Sequence, residues 1–251
     1  MTILQKLQHD FGLAPVVAAE VEFYLVGISA VSAAEVMAAI RASCAHKNIP
    51  VENLEPERGR EQYEIALPPT RDAAQLAAQI SQLKQVVNEA CASFGVRADF
   101  SAKPFADQPG SGLHVHVHLE DAEGNNVFFK RDAEMSDALR HALGGLLKTM
   151  KENMRVFAPH AESLARFVPG GNAPMTVSWG GNNRTTGLRL PDSAADAKRI
   201  EHRVAGADAD PAGVIAAILD GIYYGLTNRP DPGPQIFGEA SLAMYGLEGL
   251  V

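Results

Sequence analysis

The most constraining stretch of the sequence is the ten-residue run from Gly110 to Leu119, G-S-G-L-H-V-H-V-H-L. Apolar residues and histidines alternate in it, which is typical of a half-buried strand whose successive side chains point to opposite faces. His114, His116 and His118 therefore share one face of the predicted strand. Imidazoles bind metals and carry protons at neutral pH, so the run indicates either a functional site or a strand whose polar face meets water.

A second predicted strand, V-V-A-A-E-V-E-F-Y-L-V over 16–26, carries two carboxylates inside an apolar run. Glu20 and Glu22 are two residues apart and lie on one face of this strand. Carboxylates so placed repel each other unless a cation lies between them or one is protonated. A solvated edge strand is the alternative, because Phe23 and Leu25 supply a buried face.

Other charged residues accompany Gly- and Asn-rich segments or short predicted strands. Glu57 and Glu64 stand at the two ends of the turn in a predicted hairpin over 51–67, where solvated side chains are the ordinary alternative. Guanidinium groups can grip an anion through paired hydrogen bonds, although arginines also face solvent. The second half of the chain carries Arg166, Arg184 and Arg189, followed by Arg199 and Arg203 on either side of Glu201 in R-I-E-H-R.

The remaining pattern is that of a globular protein. Helices are predicted from Ser32 to about His46, from Thr70 to about Phe94, from about Ala133 to Phe157 and from Pro211 to Leu226, with a loosely packed tail from Asn228. Cys44 and Cys91 fall in helical patterns, which favours two reduced, packed thiols over a disulfide or a zinc site.

Charge and hydropathy narrow the classes of function. A formal net charge of -8 without a basic patch argues against a nucleic-acid partner and suits metal cations or cationic amines. No apolar run has the roughly 18 to 20 residues of a membrane span, and the first ten residues lack the apolar core of a signal peptide. We therefore expect a cytoplasmic protein with no membrane partner.

Together the residues suggest metal-dependent phosphoryl chemistry on a small acidic substrate. Carboxylates with few imidazoles suit hard divalent ions such as Mg²⁺ or Mn²⁺ better than zinc. Arginines around such ions suggest phosphates, and the sequence has no G-x-x-x-x-G-K run of the P-loop type.

Taken together, these motifs make the chain resemble a known family, the catalytic domain of glutamine synthetases and the related glutamate-amine ligases. The resemblance extends from the E-x-E strand near residue 20 to about Leu226 and keeps the family's motif order. The motifs are E-x-E at Glu20 and Glu22, E-x(6)-E at Glu57 and Glu64, G-S-G-x-H-x-H from Gly110 to His116, R-x-V-P-G from Arg166 to Gly170, N-R-x(4)-R at Arg184 and Arg189, and R-x-E-x-R from Arg199 to Arg203.

The resemblance implies an α+β fold with a curved antiparallel β-sheet funnel and flanking helices, the glutamine synthetase/guanido kinase-like catalytic domain. It implies one such domain over 1–251, with the family's N-terminal β-grasp domain expected to be absent. It also implies two Mg²⁺ or Mn²⁺ sites and ATP as co-substrate. Glu22, Glu57 and Glu64 would hold one ion, and Glu20, His114 and Glu201 would hold the other.

The resemblance also implies roles for the remaining motif residues. Arg166 and Arg203 would grip the carboxylates of glutamate and the transferred phosphoryl group, with Asn172 as the third catalytic position. The residues that would bind nucleotide or amino acid are Arg184, Arg189, Arg199, His116 and Gly110. The expected function is an ATP-dependent ligase that joins the side-chain carboxylate of glutamate, or of a similar acid, to ammonia or an amine through an acyl phosphate, acting on small molecules as a homo-oligomer.

Departures from the family's pattern keep a second interpretation open. Asn172 stands where the family has a glutamate that takes a proton from the attacking nucleophile, and an amide is not a usable base. Pro109 and Glu61 replace an asparagine and a glycine of the motifs. The alternative is therefore a catalytically impaired module that binds nucleotide and metal and has a regulatory or partner-dependent role.

Overall fold

One open sheet organises the protein. The computed structural model describes residues 1–28, 32–130 and 135–251. Its strands are β1 (Ala14–Val26), β2 (Asn53–Pro56), β3 (Gln62–Thr70), β4 (Arg97–Asp99), β5 (Leu113–Glu120), β6 (Trp179–Gly180), β7 (Leu188–Arg189) and β8 (Ile200–His202). They follow the order β2-β3-β1-β5-β8-β7-β6, with β4 also paired to β1. All pairs are antiparallel except β6 with β7, so the sheet is mixed and the expected α+β class is confirmed.

Six α-helices lie in the described ranges, and local sequence explains where several of them begin. They are α1 (Ile3–Phe11), α2 (Ala33–His46), α3 (Ala73–Ala92), α4 (Asp137–Met150), α5 (Met154–Phe157) and α6 (Pro211–Asn228). Ser32 caps α2 by accepting from the backbone N–H of Glu35, and Asp210 caps α6 just before a proline at its first position. Cys44 and Cys91 are buried free thiols, as expected. None of these helices is long and apolar enough to cross a membrane.

Two predicted boundaries differ from the structure, and a third lies outside the described residues. Thr70 ends β3, paired with Val17, and Asp72 caps α3 in its place by accepting from the N–H of Gln75. The expected start of the next helix near Ala133 lies outside the described residues, and α4 begins at Asp137. That helix also ends at Met150, and a separate turn forms α5.

The C-terminal tail is better packed than its proline and glycine content suggests. Ile236, Ala240 and Leu250 are buried. The indole N–H of Trp179 donates to the carbonyl of Gly233. Tail residues thus cover the end of the sheet that carries β6, and this part of the prediction was wrong.

The pleat separates a core face from a polar face. Val21 and Phe23 of β1 and Val115 of β5 are fully buried in the hydrophobic core. The residues that alternate with them, including Glu20 and Glu22, lie on the opposite face of the sheet. The apolar side chains of alternate strand residues thus pack in the core with the helices. The opposite face of the sheet carries the charged residues.

A close contact between α4 and α6 makes one glycine indispensable. A Cβ on Gly145 would lie 2.3 Å from the carbonyl oxygen of Gly221 and 2.4 Å from the Cα of Gly225. Backbone atoms cannot move aside without separating the helices, so we expect Gly145→Ala to destabilise the fold by about 3 kcal/mol or more. Urea unfolding would measure this loss. Gly213→Ala on α6 is the control, because its Cβ would meet only side-chain atoms, at 3.2 Å or more.

Candidate active site

Strand register assembles the charged residues that lie far apart in sequence. Across the β1–β5 pair Glu20 faces His114, and across the β1–β3 pair Glu22 faces Glu64. On the far side of β5, His116 faces Glu201 of β8. Because paired residues in an antiparallel sheet share a face, these side chains form one continuous polar surface.

The first carboxylate group joins Glu22, Glu57 and Glu64, whose oxygen atoms lie within 4.8 Å of one another. Burial and then the negative charges of neighbours, led by Glu20 and Glu22, raise the pKa of Glu64 to about 9. Three crowded carboxylates that keep a proton at neutral pH are the donor set of a hard divalent cation, which would replace that proton. The residues present therefore fit Mg²⁺ or Mn²⁺.

Hydrogen bonds fix one member of this group. The Glu22 carboxylate accepts from the backbone N–H of Gly112 at 2.8 Å and from the Gln62 amide at 3.3 Å. The same Gln62 amide donates to the carbonyl of Gly110, and its oxygen accepts from the N–H of Gly59. Gln62 is buried, and the sequence reasoning did not single it out. Its place between Glu57 and Glu64, inside the E-x(6)-E motif, was the signal that could have found it.

A second group surrounds Glu20 and Glu201, with two imidazoles in reach. His114 Nδ1 lies 3.4 Å from Glu20 and 3.7 Å from Glu201. The ligand atoms that all lie within 4.8 Å of one another are those of Glu20, His116 and Glu201, whereas His114 forms such a set with Glu20 and Glu64. Arg199 Nε, always a donor, donates to His116 Nδ1 at 3.1 Å, so the neutral ring carries its proton on Nε2 and donates it to Glu20. A protonated Nε2 cannot ligate a metal, which favours His114 as the imidazole ligand.

The two carboxylates of this second group differ from Glu64 in their ionisation. Burial works to raise the pKa of Glu20, but hydrogen bonds from His114 and His116 outweigh it, and the net shift is downward. Burial also opposes ionisation of Glu201, yet the charge of Arg203 lowers its pKa to about 2. The polar surface therefore holds two ionised carboxylates, Glu20 and Glu201, beside the protonated Glu64. The hydrogen-bond donors and charges around each carboxylate account for this difference.

Two buried arginines line the site. Arg166 donates to the carbonyls of Val204 and Arg203, and burial lowers its pKa to about 10. Arg203 donates to Glu201. The Nε atoms of both guanidinium groups are buried and have no hydrogen-bond partner. Two buried cations with unused donors are suited to binding an anion.

Glycines give Arg166 its space. A Cβ on Gly110 would lie 2.5 Å from Arg166 Cγ, and one on Gly112 would lie 2.5 Å from His114 Nε2. Any side chain at either position would displace a group of the site. The G-S-G run that precedes the histidine strand is thus required by packing at the site.

The three remaining arginines separate into two environments. Arg189 donates to Glu201 at 2.6 Å and to Asn182. Arg199 contacts His116, as described above. Arg184 is exposed between β6 and β7. The structure therefore brings Arg189 and Arg199 to the polar surface and leaves Arg184 at its margin.

Asn172 lies at the mouth of the site in an unusual backbone conformation. Its φ of 65° is in the left-handed region, which asparagine tolerates better than most residues. Its side-chain oxygen accepts from Arg58, which lies 114 residues away in the turn between β2 and β3. Arg58 was not identified from the sequence, because no local pattern marks such a distant contact. The cavity that Asn172 lines together with Glu22, Glu57 and Arg166, among others, measures only about 10 Å³.

Comparison with known proteins identifies the family. The family described as "Glutamine synthetase, catalytic domain" matches residues 27–244. Gamma-glutamylputrescine synthetase PuuA of Escherichia coli (strain K12) is 38% identical over 181 residues, covering 72% of this chain and 38% of that protein. Glutamate–isopropylamine ligase of a Pseudomonas species is 34% identical over 211 residues, covering 83% and 46%.

A solved structure, the GmaS/ADP complex in its conformation 1, superposes with a TM-score of 0.86 at 26% identity, over 99% of this chain and 63% of that one. The chain thus spans less than half the length of the two curated relatives. Match length, identity and fold agree, and the chain belongs to the glutamine synthetase catalytic-domain family.

Proposed function

We propose that this chain carries the active site of an ATP- and divalent-metal-dependent ligase that joins the side-chain carboxylate of glutamate, or of a similar acid, to an amine or ammonia through an acyl phosphate. The observation that carries the proposal is the pairing of two carboxylate groups with two buried arginines on one face of the sheet. The curated relatives named above are glutamate-amine ligases by name, which supports the choice of reaction.

In this proposal each part of the site has a separate task. Arg166 and Arg203 bind the anionic groups of the acid, since their unpaired Nε donors are available for carboxylate or phosphoryl oxygens. Arg189 and Arg199, with His116, bind the nucleotide phosphates. The backbone of Gly110 contacts the amino acid. Arg184 extends this set at the margin of the site.

The metal assignment follows the donor chemistry. Glu22, Glu57 and Glu64 would hold one Mg²⁺ or Mn²⁺, and Glu20, His114 and Glu201 would hold a second. Such ions neutralise the phosphate charge that builds up during phosphoryl transfer. The protein's own contribution is to position the acid and exclude water, which accounts for most of what this reaction requires.

A second candidate function is favoured by Asn172 and by the small cavity. The Asn172 amide cannot take a proton from the nucleophile. A cavity of about 10 Å³ has room for only about one water molecule, so groups that line it must move before an amino acid enters. A chain that could not make this movement would bind nucleotide and metal at the polar surface without turnover.

The deciding experiment measures ADP release by the purified chain with Mg²⁺ or Mn²⁺ and glutamate, against ammonia and a panel of alkylamines. Release that requires both glutamate and one amine supports the ligase and identifies its nucleophile. Nucleotide binding without ADP release under every condition supports the binding module and contradicts the ligase.

Asn172→Asp tests whether a missing base limits turnover with ammonia. Aspartate tolerates the left-handed backbone as asparagine does and adds a carboxylate that accepts a proton. If Asn172 limits the reaction, ammonia-dependent turnover will rise by about a hundredfold, the lower end of general-base effects. The measurement is kcat/KM for ammonia. An unchanged value would show that proton removal at this position does not limit the reaction.

Three broader assignments also belong to the proposal. We infer that residues 1–251 act as a single catalytic domain, since one continuous hydrophobic core underlies the sheet. The family resemblance supports a homo-oligomer, and the acidic composition suits a cytoplasmic enzyme of small molecules without a nucleic-acid partner. Light scattering on the purified chain tests the assembly.

A further inference from the structure

A groove opens beside the candidate active site, and its lining bears on which amine the enzyme takes. The groove measures about 330 Å³ and is lined in part by Arg58, Lys103, Asp107, Pro109, Val168 and Pro169. We call it the side groove. Pro109 also lines the small site cavity, so the two spaces adjoin.

Arg58 stands at the junction between the two spaces. Arg58 lines the side groove, and its guanidinium donates to Asn172, which lines the site cavity. Its backbone N–H donates to the Glu57 carboxylate at 2.7 Å. These two hydrogen bonds, one from the backbone and one from the guanidinium, hold Arg58 in place. Its positive charge therefore lies at the boundary between the side groove and the site cavity.

The charges along the side groove favour a neutral occupant. Arg58 and Lys103 contribute two positive charges, and Lys103 Nζ remains in place by donating to the carbonyl of Gln108. Asp107 supplies one negative charge, so the lining keeps a net positive charge of one. Lys103 and Asp107 each also border a separate cavity, and the one beside Asp107 contains Arg60. The remaining named wall is apolar, including the exposed side chain of Val168.

This lining discriminates between kinds of amine. The tail of an amine whose nitrogen attacks inside the site would extend past Arg58 into the side groove. An alkyl tail would contact Val168 and Pro169, whereas a second ammonium group would be repelled by Arg58 and Lys103. Of the relatives named above, the one with the higher identity is named for putrescine, a diamine, and the other for isopropylamine, which has an uncharged tail.

We propose that Arg58 is a specificity-determining residue that selects monoamines with an uncharged tail and rejects diamines. This inference rests on the proposed ligase function. In the step concerned, the uncharged amine nitrogen forms a bond to the acyl-phosphate carbon. The bond from that carbon to the phosphate oxygen breaks, phosphate leaves with the electron pair, and the nitrogen releases one proton to solvent.

The test compares butylamine with 1,4-diaminobutane, which differ only at the far end of the chain. The measurement is kcat/KM for each amine with glutamate and ATP. We expect the unmodified protein to prefer butylamine by about tenfold or more, the effect of one like charge a few ångströms away at the protein surface. Arg58→Gln will reduce this preference by about tenfold, and Arg58→Lys, which keeps the charge, will retain it.

Arg60→Gln is the matched control, because Arg60 lies in the same turn but borders the other cavity. Damage to the fold would lower both rates together and leave their ratio unchanged. A ratio that Arg58→Gln does not alter, or a preference of the unmodified protein for the diamine, overturns this inference alone. Absence of turnover with both amines, while glutamate-dependent ADP release is also absent, overturns the proposed function and this inference with it.

Discussion

Replacing Glu64 with glutamine will raise the melting temperature of the metal-free protein and remove its stabilisation by Mn²⁺. Burial and the neighbouring charges of Glu20 and Glu22 raise the pKa of Glu64 to about 9, so the folded protein holds this carboxyl protonated at pH 7. Glutamine has a similar shape and never ionises. We expect a gain of about 2 kcal/mol at pH 7, or about 5 °C in melting temperature.

The sign of the pH dependence distinguishes this explanation from a packing effect. The ordinary pKa of a glutamate, 4.5, applies to the unfolded chain, whereas the folded value is about 9. The favourable contribution of the protonated group is complete below pH 4.5 and is lost as the pH rises towards 9, since only the unfolded chain ionises in that window. The advantage of Glu64→Gln will therefore grow between pH 5 and pH 8.5.

Differential scanning fluorimetry with EDTA and then with Mn²⁺ measures both effects. Glu89→Gln is the control, because it removes one negative charge from the exposed face of α3 and should change neither quantity. A Mn²⁺ shift that survives in Glu64→Gln would remove Glu64 from the metal site. A stability gain that does not depend on pH would contradict the ionisation argument.

The period-2 alternation of β1 and β5 was enough to predict which charged residues share a face. A strand has only two faces, and an apolar run on one of them fixes the other. The sequence did not indicate which residues face each other. Glu22 lies opposite Glu64 because β1 and β3 adopt one register, and register depends on pairing between distant segments.

The choice between imidazoles shows the same limit. The motif resemblance assigned His114 to the metal, while the alternation alone treated His114 and His116 as equivalent. The two histidines differ because Arg199, which directly precedes β8, donates a hydrogen bond to His116. The hydrogen bond from Arg58 to Asn172 likewise joins two loops, and loop sequences have no hydrophobic periodicity from which a contact could be predicted. Tertiary contacts of single polar groups were therefore the part of the site that sequence reasoning could not supply.

Glu201→Gln should have the opposite effect to Glu64→Gln on the same face of the sheet. Glu201 is fully buried and accepts hydrogen bonds from Arg189 at 2.6 Å and from Arg203. A neutral amide would leave two arginines facing each other without the negative charge between them. Removing one partner of a buried ion pair costs about 3 to 5 kcal/mol, and we expect a loss near the lower end because Arg189 also donates to Asn182.

The pH dependence of this loss is also reversed. Although burial opposes ionisation, Arg203 lowers the pKa of Glu201 to about 2, so its stabilising contribution is complete above pH 4.5 and fades as the pH falls towards 2. Urea unfolding in EDTA at pH 7 and pH 3 will therefore show a smaller difference between Glu201→Gln and the unmodified protein at pH 3.

A double-mutant cycle with Arg203→Met isolates the pair. If the charge of Arg203 is what the glutamine leaves uncompensated, the double variant will be more stable than the sum of the two single losses allows, by about 1 kcal/mol or more. Additive losses would show that Glu201 stabilises the fold through packing instead. In that case the charge of Arg203 would not explain why Glu201 is ionised. The assignment of Glu201 and Glu64 to two separate cation sites on this face would then lose its support.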